Sequence, residues 1–268
     1  MNKFYIQIAL FLLTIFAYAN NETLAAEPAP GEDTKPQLRS RYPTSEEIYE
    51  KNKHLSSPSS CNNKKLAIEL MDEVVKHLEY HATNNDGYKV YIRNHGDSIS
   101  YYVKKFDDKT DILKINLNIY ASSQYNDIIN KLWDPNTPNT FNTGSVKIVH
   151  VYDPNLVIIQ QRYKKDSEGH QKYFYALVGK AEISEGKTII AMTSADINDQ
   201  NYSTRGNKNP IIKKADSFYP RVTSEDDIKN GKLGKVFVNL AGYLIEKKGD
   251  DLEITYIESV SNIQNLII

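Results

Sequence analysis

A series of β-rich runs separated by short turns constrains the fold of this chain more than any other feature of its sequence. The clearest run is Asp111–Tyr120, in which Leu113, Ile115 and Leu117 alternate with polar residues, as in a strand with one buried and one wet face. Short connections between such runs favour antiparallel neighbours. Strands are predicted at Tyr88–Arg93, Ser98–Phe106, Asp111–Tyr120, Val146–Tyr152, Leu156–Tyr163, Tyr173–Ile183, Lys187–Ala195, Lys235–Lys247 and Leu252–Val260.

Two helices interrupt the strands. The first is predicted from Asn62 or Asn63 to about Thr83, and the second over Tyr125–Asp134, where the following Pro135 ends it. A short helical turn is predicted near Glu46 to Lys53. The order of elements predicts an α+β fold with a curved antiparallel sheet of about nine strands. Because so few helices cannot cover the apolar face of that sheet, we expect an internal hollow.

The amino-terminal segment has the features of a secretory signal. Lys3 precedes the apolar run Phe4–Phe16, and Ala17-Tyr18-Ala19 provides small residues at a cleavage site. We therefore predict a signal peptide at 1–19, a flexible polar leader at 20–60 and one folded domain at 61–268. The mature chain is expected to be secreted.

Composition and motifs exclude several classes of function. Lys and Arg total 33 and Asp and Glu 34, so no basic surface for nucleic acid is predicted. The sequence contains no Gly-rich phosphate loop and no nucleophile elbow. His77 and His81 have helical metal-ligand spacing, but Leu78 stands where a zinc protease has glutamate. We predict no catalytic residue, no metal site and no cofactor, and therefore no enzyme.

Four stretches of the sequence resemble the fam-a family of malaria parasites: Arg41–Leu55, Asn130–Pro135, Phe141–Lys147 and Ala241–Gly249. Proteins of that family are secreted and carry a START domain, the helix-grip fold that holds one lipid inside a curved antiparallel sheet. The resemblance implies a START-like helix-grip domain that binds or transfers one phosphatidylcholine-like phospholipid, with transient membrane contact. Two final compartments stay open, the parasitophorous vacuole and the host cell, since Glu22–Ala26 lacks the leading basic residue of the parasite export signal.

The same resemblance implies roles for individual residues. Trp133 and Asp134 match the Trp-Asp pair of phosphatidylcholine-binding START domains, and Tyr173 matches one tyrosine of their choline cage. Asn130 and Gln160 replace the phosphate-binding arginine and the cage tryptophan, so the resemblance leaves the headgroup open. A structural interpretation competes with the lipid contact: Trp133 would be a core anchor, and Asp134 a turn residue at the helix end.

The remaining predicted site residues come from the sheet. Leu113, Ile115 and Leu117 are expected to line the hollow, and Arg162, a cation on a neighbouring part of the sheet, is the predicted partner of the lipid phosphate.

The carboxyl terminus departs from the START pattern. START domains end in a long lid helix, whereas only Ser261–Ile268 follows the last predicted strand. Either the domain is truncated, or the tail, the leader or a partner covers the opening. Two functions stay open: a lipid-binding or transfer protein, and a parasite–host interaction protein whose START-like scaffold has a vestigial or lidless cavity and meets a host protein.

Overall fold

The computed structural model describes five stretches of the chain: 42–56, 61–93, 99–137, 144–201 and 208–261. The predicted signal peptide, most of the leader and the residues after Ser261 lie outside these stretches.

The described residues form one ten-stranded sheet. Its strands are β1 (Lys89–Arg93), β2 (Ile99–Lys105), β3 (Asp111–Ile119), β4 (Ser145–Asp153), β5 (Leu156–Arg162), β6 (Lys172–Ser184), β7 (Lys187–Thr193), β8 (Gly234–Lys235), β9 (Phe237–Lys248) and β10 (Asp251–Ser261). Nine of them follow the order β1-β2-β3-β10-β9-β7-β6-β5-β4, and every neighbouring pair in that order is antiparallel. The predicted α+β class and antiparallel sheet are confirmed.

The tenth strand was not predicted. β8 has two residues and pairs in parallel with the start of β6, at the end of the long connection between β7 and β9. A strand of two residues is too short to show an alternating pattern, so the sequence could not predict β8.

The described stretches contain four α-helices beside the sheet: α1 (Ser45–Asn52), α2 (Cys61–Thr83), α3 (Tyr125–Trp133) and the single turn α4 (Asp226–Lys229). α1 begins with a capping box, in which Thr44 Oγ1 accepts from the Glu47 amide at 3.3 Å and the Glu47 carboxylate accepts from the Thr44 amide at 2.8 Å. Ile48 of α1 is buried in the core. The folded part of the chain therefore begins before residue 61, the boundary expected from composition.

Buried side chains lie on both faces of the sheet and form two separate clusters. We call the face covered by α2 the outer face, and the face covered by α1 and α3 the inner face. Along each strand, alternate residues belong to alternate faces, as the pleat requires. On β5, for example, Val157 and Ile159 belong to the inner cluster and Leu156 and Ile158 to the outer cluster.

The outer face is closed by a tight helix–sheet contact. α2 packs across β6, β7, β9 and β10, and glycines on two of these strands make room for it. A Cβ atom built on Gly179 would lie 2.5 Å from Met71 Cγ, and one on Gly242 would lie 2.6 Å from Leu78 Cδ1 and 2.1 Å from a backbone oxygen. Gly242 also has φ +149°, which L-residues rarely adopt. These contacts fix α2 against the sheet.

Candidate functional site

The inner face contains a mostly apolar cavity between the end of α3 and the half of the sheet that runs from β4 to β9. The cavity volume is about 90 Å³, and about 780 Å³ is free of atoms when the opening to solvent is included. The lining consists of Lys131, Leu132, Trp133, Asp134, Pro135, Thr137, Val146, Ile148, Val157, Ile159, Gln161, Val178, Ile190, Met192 and Tyr243.

The sheet side of this cavity follows directly from strand alternation. β5 contributes every second residue, Val157, Ile159 and Gln161, while the residues between them face outward. α3 closes the opposite side because its apolar stripe packs on the sheet. The Tyr125 hydroxyl anchors this helix to β7 by donating to Thr188 Oγ1 at 2.8 Å.

Trp133, predicted as a site residue, lies in the cavity wall. Its side chain is 7% exposed, and the Lys180 ammonium lies 5.8 Å from the ring centroid. Its indole Nε1–H is buried and has no hydrogen-bond partner among the described residues. A buried donor without an acceptor costs about 1–3 kcal/mol. Trp133 therefore serves as a core anchor and also brings an unused donor to the cavity wall.

Asp134 also lies in the wall, but its carboxylate is engaged in the turn. Oδ1 accepts from the Asn136 amide at 3.0 Å, and Oδ2 accepts from the Thr137 hydroxyl at 3.2 Å. The turn that the sequence predicted after α3 thus uses both carboxylate oxygens. Whether Trp133 and Asp134 contact a lipid stays a prediction.

The three predicted lining residues of β3 belong to the inner cluster. Leu113, Ile115 and Leu117 are all less than 9% exposed, and Lys114 between them points to the outer side, where it donates to Asn84 and Asn85. They face the same side of the sheet as the cavity but lie outside its lining, on the part of the sheet beyond β10.

Tyr173 lies on the outer face, which corrects the expectation that it faces the hollow. It is fully buried in the outer cluster, where its hydroxyl donates to Asp199 at 2.9 Å and accepts from Asn201 at 3.2 Å. Asp199 also pairs with Lys235 at 2.8 Å. Burial, reinforced by the Asp199 charge, raises the pKa of Tyr173. The alternation of β6 decides this placement, since Phe174 and not Tyr173 belongs to the inner cluster.

Arg162 also lies on the outer side of the sheet, so the structure corrects the expectation that it lies beside the hollow. Its guanidinium forms a bidentate pair with Asp227 at 2.7 and 2.8 Å and contacts Glu225 at 3.1 Å. Burial alone would raise the pKa of Glu225, but hydrogen bonds from Lys147, Gln160 and Arg162 outweigh it and lower that pKa to about 2. The arginine fastens α4 to β5 and is already neutralised by two carboxylates.

Glu258 is a functional candidate that the sequence prediction missed. β10 places Leu252, Ile254 and Tyr256 on the inner face, and Glu258 is the next residue in that alternation. Desolvation raises the pKa of its carboxyl to about 8. The sequence could have revealed this candidate, because an ionisable residue follows Leu252, Ile254 and Tyr256 in the same alternation.

Tyr163, which directly follows β5, packs on the inner face, where its ring centroid lies 6.1 Å from that of Phe174. Burial raises the pKa of its hydroxyl, and the charge of Glu258 adds to this effect.

Comparisons with known proteins identify the fold. No protein-family model and no curated protein matches the sequence. Among solved structures, human StAR-related lipid transfer protein 5 matches with a TM-score of 0.51 and 10% identity, over 76% of this chain and 88% of that chain. Human STARD10 matches with a TM-score of 0.49 and 12% identity, over 69% and 65% of the respective chains. The chain has the START helix-grip fold, which confirms the predicted fold class.

Two further observations bear on the site. Within the described stretches, no group of three or more His, Cys, Asp or Glu residues could hold a metal ion. No helix of these stretches is both long and apolar enough to cross a membrane.

Proposed function

We propose that this chain is a secreted, non-enzymatic lipid-binding or lipid-transfer protein of the fam-a family, which holds one phospholipid on the inner face of its START-like domain. The observation that supports this function best is the mostly apolar cavity between α3 and the inner face. The sequence resemblance to fam-a and the START fold agree with it. Lipid exchange would require transient membrane contact and no cofactor.

The cavity wall suits an acyl chain with a polar end. Most side chains on the floor over β5, β6 and β7 are apolar, such as Ile159, Val178 and Met192. The polar groups of the lining include Gln161 and the Trp133 N–H, which has no partner among the described residues. An ester or phosphate oxygen that accepts from Trp133 would remove the cost of that buried donor.

The size of the cavity determines how much the domain must open to bind a phospholipid. Pockets for small organic ligands typically measure about 300–1,000 Å³, well above the cavity volume of about 90 Å³ here. A phospholipid therefore requires the inner face to widen. α2 is fixed to the outer face through Gly179 and Gly242, so α1 and α3 are the elements that would move.

The same small volume favours a second candidate function. A START-like scaffold with a vestigial hollow would act through its exterior, as an interaction protein that meets a host protein in the parasitophorous vacuole or host cell. The two candidates differ in one measurable property, because only the first requires stoichiometric lipid.

The test is extraction and mass spectrometry of lipids that copurify with the secreted chain, before and after incubation with phosphatidylcholine vesicles. We expect about one lipid per protein. Protein that emerges without lipid and stays so after exposure to vesicles contradicts lipid binding and supports the interaction protein.

Matched variants on one strand localise the binding. Val146 lines the cavity, whereas Val149 on the same strand packs against the outer cluster, and both are half-buried. Val146→Phe should lower the bound lipid severalfold, and Val149→Phe should leave it unchanged. Equal loss in both variants would mean that the lipid is not held in this cavity.

A further inference from the structure

A second cavity lies apart from the proposed lipid site, beside the long connection between β7 and β9. Its volume is about 290 Å³, and about 660 Å³ is free of atoms when the opening to solvent is included. It shares no described lining residue with the cavity between α3 and the inner face. Most of its lining side chains carry a polar group: Asp196, Asn198, Asp199, Asn201, Tyr219 and Lys235.

Hydrogen bonds between three segments of the chain hold the walls of this polar cavity in place. The Asn198 amide donates to the Pro220 carbonyl at 2.9 Å, and the Val222 amide donates to the Asn198 carbonyl at 3.1 Å. The third segment is β8, in which Lys235 lies opposite Tyr173 at the start of β6. The walls are therefore positioned before a ligand binds, which lowers the entropic cost of binding.

Lys235 and Asp199 form a buried ion pair in the wall of the polar cavity. Their side chains are 6% and 2% exposed, and Lys235 Nζ lies 2.8 Å from Asp199 Oδ2. The Asp199 carboxylate also accepts from the Tyr173 hydroxyl at 2.9 Å and from the Asn201 amide at 3.1 Å. Within the described stretches, Asp199 is the only anionic partner of Lys235. The carboxylate is therefore satisfied, whereas the ammonium still has protons to donate.

Asp196 and Tyr219 bring to the polar cavity groups that the fold does not use. Neither side chain has a hydrogen-bond or ion-pair partner among the described residues, although both line the cavity. Asp196 is half-buried, and Tyr219 is 63% exposed. A carboxylate and an aromatic ring are thus both available to a ligand.

The charges of the lining favour an uncharged ligand. Asp196 would repel an anion, and Lys235 in the same lining would repel a cation. Because the lining offers both donors and acceptors, its ligand must offer both as well, as a hydroxyl group does. An exposed tyrosine ring can pack against the C–H face of a second ring. A sugar ring combines several hydroxyls with such a C–H face.

The volume of the polar cavity suits one such ring. Pockets for small organic ligands typically measure about 300–1,000 Å³, and this cavity lies at the lower end of that range.

We propose that the polar cavity binds a neutral sugar ring, either a free monosaccharide or the terminal sugar of a glycan. Asp196 would accept from the sugar hydroxyls, Lys235 would donate to them, and Tyr219 would pack on the ring. This assignment does not depend on lipid binding, because the two cavities share no described lining residue.

Saturation-transfer difference NMR on the full mature chain tests the assignment. The probes are the methyl glycosides of glucose, galactose, mannose and N-acetylglucosamine, with glucuronate and glucosamine as charged sugars of similar size. We expect at least one neutral glycoside to bind saturably and about fivefold or more tightly than glucuronate, which Asp196 repels. Binding of glucosamine alone would assign the cavity to an amine and overturn the sugar assignment.

Matched variants localise the binding of the preferred glycoside. Asp196→Asn should weaken it about fivefold or more, because a charged acceptor forms the stronger hydrogen bonds. Asp108→Asn, the same change at an exposed position between β2 and β3, should leave it unchanged. Tyr219→Leu should weaken binding about threefold or more. Tyr120→Leu, which removes a ring that is 69% exposed outside the cavity, should not.

A trisaccharide that ends in the preferred sugar distinguishes the two sources of the ring. Affinity similar to that of the methyl glycoside supports the terminal sugar of a glycan, and exclusion of the trisaccharide supports a free monosaccharide.

Three results would overturn the assignment. They are the absence of saturable binding by any neutral glycoside, unchanged binding in both Asp196→Asn and Tyr219→Leu, and an equal loss of binding in Asp108→Asn and Tyr120→Leu. Urea unfolding verifies that each variant folds, and the exposed Tyr219 position keeps the test valid if Asp196→Asn does not. Lipid retention by the same preparations is measured separately, so failure of one function is not mistaken for failure of the other.

Discussion

Replacement of Glu258 by glutamine should change how the stability of the protein depends on pH. In the folded chain the carboxyl has a pKa of about 8, against 4.5 for an ordinary glutamate. Between these values the folded state holds a proton that the unfolded state has lost. The contribution of this group to stability is therefore complete below pH 4.5 and is lost as the pH rises to 8. Glutamine does not titrate and escapes this loss.

The magnitude follows from the difference between the two pKa values. Subtracting 4.5 from 8 gives about 3.5, which at 1.36 kcal/mol per pKa unit is about 5 kcal/mol. Glu258 keeps part of its surface accessible, and screening there reduces the effect to about 2–4 kcal/mol. That is a large fraction of the 5–15 kcal/mol by which typical domains are stable.

Urea unfolding monitored by Trp133 fluorescence provides the measurement. Wild type and Glu258→Gln are compared at pH 5, 6, 7 and 8, so that groups common to both cancel. We expect the variant to gain about 2–4 kcal/mol relative to wild type between pH 5 and pH 8. Glu253→Gln should show no such gain. If the curves for wild type and Glu258→Gln run parallel over this range, Glu258 is not desolvated and the reasoning is refuted.

Three further predictions concern the framework. Gly242→Ala should destabilise the chain by about 3 kcal/mol or more, because its Cβ would meet backbone as well as α2, whereas Gly179→Ala meets only the flexible Met71 side chain and should cost less; thermal unfolding of both variants checks the order. Thr44→Ala removes the α1 capping box and should cost about 1 kcal/mol in urea unfolding; no change would mean that α1 does not contribute to the fold. Arg162→Gln should cost about 1–3 kcal/mol, because Asp227 loses its cationic partner while Glu225 keeps Lys147 and Gln160. Lipid retention measured by mass spectrometry should not change, and a loss of lipid would place Arg162 back at the site.

The strands were predictable because their apolar residues alternate cleanly. In β3, the pattern of Leu113, Ile115 and Leu117 identified the strand, but the opposite side, which was expected to be wet, is buried at Ile112 and Lys114. The pattern identifies two sides of a strand but not which side of the sheet holds the hollow. This sheet buries both faces, so Tyr173 and Phe174 are almost equally buried and burial alone could not separate them.

The second feature that the sequence could not predict is the position of individual side chains relative to the two faces of the sheet. Arg162 directly follows the inward-facing Gln161, so it faces outward. Its acidic partners, Glu225 just before α4 and Asp227 within it, lie 63 and 65 residues further along the chain. The connection that carries α4 has no periodic pattern, so neither the helix nor the ion pairs could be foreseen. Glu258 was overlooked because a charged residue near the end of a strand is usually taken to mark the point where the buried positions end.

The packing of α2 on Gly179 and Gly242 determines where a bound lipid could enter and leave the domain. Because that helix packs directly on the backbone of β6 and β9, it closes the outer face of the domain. A lipid held on the inner face, as proposed, would enter and leave past the eight-residue α1 and the nine-residue α3. The rate of lipid exchange would then depend on how tightly these two short helices pack against the sheet.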